Sequence, residues 1–165
     1  MAQTRALEKL DRILTVGLKA CGVICLVSLL SMISAMIFVR FMPISSMGWA
    51  DEIVELAFVY MIFLGSAVLW KERSHFRVDL VPLWLGETRA GTFLQVFLNI
   101  LSLVFFLVFT FQGVILTLRT TDNSPILDLP RIIWYIIMPV TGAVIIGYTI
   151  RDLLFLFRGK LKQWK

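Results

Sequence analysis

The sequence predicts an all-α membrane protein of four transmembrane helices, with an N-terminal amphipathic helix and a short interfacial segment between spans two and three. Three observations carry that expectation. Of 165 residues, 59% are hydrophobic and 16% charged, with a mean hydropathy of +0.87, whereas a soluble domain is close to half apolar and about a quarter charged. The charges leave four long apolar windows. The basic residues crowd into alternate loops, as they do around membrane spans. Such a composition excludes a soluble enzyme, a disordered chain and a disulfide-rich secreted domain.

A helix needs about 20 mostly apolar residues to cross ~30 Å of hydrocarbon. Ahead of the first window, Leu7, Leu10, Ile13 and Leu14 recur at helical spacing opposite Glu8, Lys9, Asp11 and Arg12. That pattern reads as an amphipathic helix on the inner membrane surface. Basic residues before an apolar run also suggest a secretory signal, but this run is longer than the 7 to 15 residues of such a core and lacks a small-x-small cleavage site. Ala20 to Val39 is the first window, 20 uncharged residues, placing span one at about 18–40. Within it Cys21 and Cys25 align with Gly17, near Ser28, Ser31 and Ala35. They are expected to be small packing residues, because adjacent helical turns hold two cysteines poorly for a disulfide and no second pair of metal ligands accompanies them.

The second window, Leu56 to Trp70, has only 15 residues. It reaches spanning length only if span two starts near Asp51, giving 51–70 and leaving Glu55 in the first turns. Asp51, Glu52 and Glu55 form the densest acidic cluster, with Asp51 and Glu55 on one face. Acids there complement the helix dipole, with Ser46 as a start signal and Trp49 as an interface anchor. Equally, an acid beside a span is a candidate proton relay or ion-pair partner. Arg40, Arg119 and Arg131 are the basic residues on that side. In the following loop, Val78, Leu80, Val81, Leu83, Trp84 and Leu85, with Pro82 among them, are too few to span but enough to half-bury a segment beside the headgroups.

The third window holds 29 uncharged residues from Ala90, about 43 Å of helix, so span three, 91–118, is expected to tilt or protrude. Its Gln95, Asn99 and Ser102 make a polar stripe that is expected to face protein. The fourth window, Ile132 to Ile150, has 19 residues and opens a span at about 132–157. Pro139 cannot donate to the carbonyl of Tyr135 and is expected to kink it, while Ala143 and Gly147 offer a small-xxx-small pair. With no repeat or linker, residues 1–165 are expected to form one four-span membrane domain.

Lys and Arg near span ends are retained in the cytoplasm. The N-terminal segment, the second loop and the tail together carry 13 of the 16 basic residues, the first and third loops only Arg40, Arg119 and Arg131. Both termini are therefore expected inside. With acids included, the inner side is +7 and the outer −2. The surplus of +5 is thus an orientation signal, and nucleic acid is not an expected partner.

Chemistry is sparse. His75 is the only histidine, and a haem held between spans needs axial ligands within them. No phosphate loop, nucleophile with a base, or paired catalytic carboxylates can be assembled. The chain is not expected to be an enzyme or to bind a metal or cofactor.

The run from Trp49 to Ala67, followed by Lys71 to Asp79, resembles the small membrane subunit of TRAP transporters, the DctQ-like permease component. Trp49, Asp51, Glu52, Glu55, Phe63, Leu64, Gly65, His75, Val78 and Asp79 match the family pattern in order. Asp128, Leu129, Pro130, Tyr135 and Pro139 are similar to the family's entry into span four. The resemblance implies a bacterial or archaeal secondary transporter in which a soluble periplasmic protein delivers an organic acid. A large multi-helix permease subunit carries the substrate and sodium sites and moves like an elevator. The small subunit would widen the immobile scaffold and anchor it among membrane lipids, in the inner membrane. Trp49, Asp51, Glu52, Glu55, Gly65, His75, Asp79, Gln95, Asn99, Pro130 and Tyr135 are its candidate structural and intersubunit residues. The chain's end soon after span four implies a polypeptide separate from the large subunit. The competing expectations are an autonomous exporter of the small multidrug type, which needs an acid well inside a span, and a four-span assembly factor.

Overall fold

The computed structural model describes residues 2–41, 48–72 and 89–157. These fold as α1 (Ala2–Arg40), α2 (Gly48–Lys71), α3 (Arg89–Arg119), the single turn α4 (Ile132–Tyr135) and α5 (Ile137–Phe157). Four helical stretches are long and apolar enough to cross a membrane: Asp11–Arg40, Gly48–Lys71, Phe93–Arg119 and Ile132–Leu154. Ser46 and the segment expected at the interface, 78–85, lie outside the described residues.

No break separates the amphipathic stretch from span one. α1 is one helix of 39 residues, about 58 Å long at 1.5 Å per residue, so its first turns continue the axis of the span. α3, at 31 residues, also exceeds the hydrocarbon thickness, as its long uncharged window implies. The fourth span is interrupted at Ile136, between α4 and α5. Pro139 supplies no N–H to the carbonyl of Tyr135 there, and the hydroxyl of Tyr60 donates to the neighbouring carbonyl of Ile133 at 2.8 Å.

The helices form a row. α1 lies against α2, α2 against α5, and α5 against α3. Half-buried or buried positions on α1 recur at alternating steps of four and three: Thr15, Leu18, Gly22, Cys25, Leu29, Met32, Met36 and Val39. That is a coiled-coil seam. Cys25, Ser28 and Ala35 lie on this less exposed side, but Gly17, Cys21 and Ser31 are exposed, so the expected stripe of small residues is only half used. On α2 the buried positions are mostly small, Ala50, Ala57 and Ala67 with Leu64 and Val68, which lets neighbouring backbones come close.

α3 and α5 meet over glycines. A Cβ on Gly142 would collide with Thr110 Oγ1 and stand 3.2 Å from its Cβ, and one on Gly113 would stand 3.3 Å from both Met138 and Pro139. The pair expected to serve this purpose, Ala143 and Gly147, is exposed, and nothing lies within 4 Å of a Cβ built on Gly147. The stripe is offset by one residue, which in a helix turns it by about 100°.

Gly142→Ala is expected to lower stability by about 1–3 kcal/mol through overpacking, after some offset from alanine's better helix propensity. Gly147→Ala serves as the control and is expected to be neutral or slightly stabilising. Thermal unfolding of the two variants in detergent, followed by circular dichroism, checks the contrast.

Candidate functional site

At the end of the row where α2 begins, the chain between α3 and α4 folds back as a small hairpin. Arg131 N–H donates to Asp122 O at 3.0 Å, Ser124 N–H to Leu129 O at 2.8 Å, and Leu129 N–H to Ser124 Oγ at 3.1 Å. Asp128 takes a left-handed backbone with φ 53°, a conformation that Asp tolerates better than most residues. Asn123 Nδ2 steadies it by donating to Asp128 Oδ1 at 2.8 Å.

Glu52 ties this hairpin to α2. Its Oε1 accepts the N–H of Ile126 at 2.8 Å and its Oε2 the N–H of Leu127 at 2.9 Å, with Ser124 as a third partner. The carboxylate thus satisfies two turn amides that the hairpin leaves without a backbone acceptor. Ile126 reaches over the first turn of α2, its Cδ1 3.2 Å from where a Cβ on Gly48 would stand. Glycine is what permits that approach.

Beside this contact lies a cleft of about 240 Å³ whose walls include Asp51, Glu55, Arg131 and Trp134. Asp51 and Glu55 are exposed and Arg131 is half-buried. Among the described residues none of them, nor Arg40 or Arg119, forms an ion pair. Among the described residues the expected partnership of the acidic cluster with these arginines is met only through the electrostatic attraction between Arg131 and Glu52. Of the three acids, Glu52 is the one that turns inward. It is a single step along the helix from the shared Asp51 and Glu55 face.

The opposite end carries a second polar knot. Lys71 Nζ lies 2.7 Å from Asp11 Oδ2 and also hydrogen bonds Thr15 Oγ1. The hydroxyl of Tyr148 donates to Asp11 Oδ1 at 2.8 Å. Arg151 stacks over the Tyr148 ring at 4.8 Å, and Lys19 pairs with Glu72. Trp70, one residue from Lys71, donates through Nε1 to Oγ1 of Thr149, one residue from Tyr148, at 2.9 Å and packs edge-on against Phe106 at 4.8 Å. α1, α2 and α5 are thereby joined. Nothing in the sequence pairs Asp11 with Lys71; Tyr148, a phenol near the end of an apolar span, was the available signal.

The other sequence-derived candidates scatter. Trp49 is 38% exposed at the start of α2, as an interface anchor would be. Gly65 is half-buried with open space at its Cβ position. Asn99 is buried and donates to the carbonyl of Gln95 at 2.9 Å, whereas the side chain of Gln95 is exposed; the polar stripe therefore turns inward only in part. Pro130 is exposed, bridging to Asn123 in the hairpin, and Tyr135 is half-buried ahead of the break. His75 and Asp79 lie outside the described residues. Among the described residues no group of three or more His, Cys, Asp or Glu could hold a metal ion.

Comparison with known proteins places this geometry. Residues 13–159 match the family described as tripartite ATP-independent periplasmic transporters, DctQ component. A Haemophilus influenzae protein provisionally named a TRAP transporter small permease protein is 24% identical over 152 residues, covering 87% of this chain and 94% of that protein.

Two outcomes follow from the knots. Glu52→Ala is expected to speed amide hydrogen exchange at Ile126 and Leu127 by roughly an order of magnitude or more, with Glu52→Gln intermediate because one acceptor oxygen remains. At the other end, a double-mutant cycle of Asp11→Asn and Lys71→Met is expected to give a coupling energy of about 1–2 kcal/mol in thermal unfolding. Additive effects would show that the pair does not join α1 to α2.

Proposed function

The chain belongs to the DctQ component family of the tripartite ATP-independent periplasmic transporters, and from that premise we propose that it is the small membrane subunit of a sodium-coupled importer of organic acids. Small subunits of this kind are non-catalytic. The partner is a large multi-helix permease subunit, and through it a periplasmic substrate-binding protein. The small subunit adds a rigid lateral wall to the stationary part of that permease.

The observation that carries this reading is the row of helices with an apolar face at each end. α1, which is almost wholly unburied, exposes Val23, Ile24, Val27 and Leu30, and α3 exposes Leu101, Val104, Phe105 and Val108. In a membrane such faces meet lipid tails or another subunit's helices, and van der Waals fit decides between them. Most of the buried polar side chains of the spans hydrogen bond within the chain, in keeping with a supporting role.

The preponderance of Lys and Arg in the N-terminal segment, second loop and tail supports cytoplasmic termini in a bacterial inner membrane. In that orientation the hairpin at 122–131 and the acidic start of α2 face the periplasm. The first turns of α1 then continue from the span toward the cytoplasm, and 1–165 forms one four-span domain.

The tagged chain, expressed with its neighbours and purified in mild detergent, is expected to bring down a much larger permease and to transport nothing alone. Glu55→Gln is expected to leave assembly intact and uptake within about twofold, since an exposed surface charge contributes little. Robust sodium-driven uptake by the isolated chain in liposomes would overturn the proposal.

A further inference from the structure

At the end of the bundle that carries Asp11 and Lys71, three bases are matched by acids: Lys71 by Asp11, Lys19 by Glu72 and Arg151 by Asp152. Lys9 and Arg12 are left over. Both are exposed, and neither forms an ion pair among the described residues. Three residues apart on α1, they are neighbours on the helix surface, where like charges repel. An anion held between them turns that repulsion into attraction. Arg40 and Arg119, exposed at the opposite end, stand on separate helices and make no such pair.

The pair stands where the apolar stretch of α1 begins, at Asp11. From it Val16, Ala20, Val23 and Val27 continue one line along the helix at steps of three and four, all exposed and turned away from the seam with α2. Lys19, the base beside this line, is drawn aside to Glu72. Arg12 to Val27 is about 22 Å of helix, and one leaflet's share of the ~30 Å hydrocarbon is about 15 Å. Two unmatched positive charges at the rim, above an apolar run deeper than a leaflet, have the charge and the shape to receive an anionic phospholipid. We propose that the outward face of α1 binds one, its phosphate held between the guanidinium of Arg12 and the ammonium of Lys9, with an acyl chain laid along Val16, Ala20, Val23 and Val27. A guanidinium presents two parallel N–H groups to phosphate oxygens, and the lysine adds a point charge. Charge complementarity selects an anionic lipid over a zwitterionic one, whose own ammonium the pair repels. A soluble phosphate would leave the apolar line unused.

Native mass spectrometry of the full chain in detergent, titrated with phosphatidylglycerol or phosphatidylethanolamine, tests the site. One phosphatidylglycerol is expected to be retained at least about tenfold more strongly than phosphatidylethanolamine, which carries no net charge. The double variant Lys9→Gln/Arg12→Gln is expected to abolish that preference, and either single change to reduce it about fivefold. Arg40→Gln/Arg119→Gln removes the same charge from the opposite end and is expected to keep the preference; circular dichroism melts confirm that each variant is folded. Soluble glycerol phosphate, the headgroup chemistry without acyl chains, is expected not to displace the lipid. Equal retention of the two lipids, an undiminished preference in the folded Lys9/Arg12 variant, an equal loss in the Arg40/Arg119 variant, or displacement by glycerol phosphate overturns the proposal.

Discussion

The hydrocarbon interior offers no hydrogen bonds, and the arrangement of this chain follows from that constraint. Along the spans, polar side chains turn back onto their own helices. Thr15, Ser31, Asn99, Ser102, Thr117, Thr141 and Thr149 each donate to a carbonyl three or four residues earlier. Thr141, 1% exposed, is thereby satisfied without reaching a neighbour, while Thr149, also 1% exposed, accepts the indole N–H of Trp70 as well. Charged contacts between elements are confined to the two ends. Glu52 and Lys71 are nineteen residues apart on α2, about 28 Å along its axis, close to the thickness of the layer they must avoid.

That spacing gives the ends a role that the apolar middle cannot fill. Within lipid there is no hydrophobic force drawing one helix to another, and a polar contact between spans averages only about 0.6 kcal/mol. Tyr60 on Ile133 and Trp70 on Thr149 are contacts of that size. Sliding α5 along α2 by one turn costs little in apolar contact but separates Tyr148 from Asp11 and strains the chain leading from the hairpin. α2 and α5 are thus held in register at both ends. α1 is locked mainly at the end that carries Asp11 and Lys71 and otherwise follows its heptad seam. α3 joins through packing, where Thr110 fits against Gly142 and Phe106 meets Trp70 of α2 edge-on.

Much of the fold was legible in the sequence because apolar length is a one-dimensional property. Uncharged windows locate helices, and a proline without an N–H locates the break at Ile136. Legibility failed where a helical face had to be known to within one residue. Glu52 and not Asp51 or Glu55 turns inward, and Gly142 and not Ala143 or Gly147 meets α3. A shift of one residue rotates a side chain by about 100°, and on helices apolar all round nothing in the pattern marks which face is inside. The contacts across the row were equally hidden. Tyr148 and Asp11 are 137 residues apart, and only folding brings the phenol to the carboxylate.

The distribution of polar atoms also separates a supporting element from a conduit. A proton or ion path needs exchangeable groups spaced through the membrane, each free to change partner. Here Glu52, at the hairpin end, is engaged by two backbone amides, and the carboxylate of Asp11, at the opposite end, by Lys71 and Tyr148. Between them the described span hydroxyls are mostly bonded to their own backbones, with Thr110 Oγ1 the buried exception. A carboxylate that secures a turn cannot release it at each transport cycle without loosening the hairpin and the entry to α4 and α5. The same bonds that make the row rigid therefore argue against its moving charge, and a rigid row with two apolar flanks is suited to bracing a neighbour that moves.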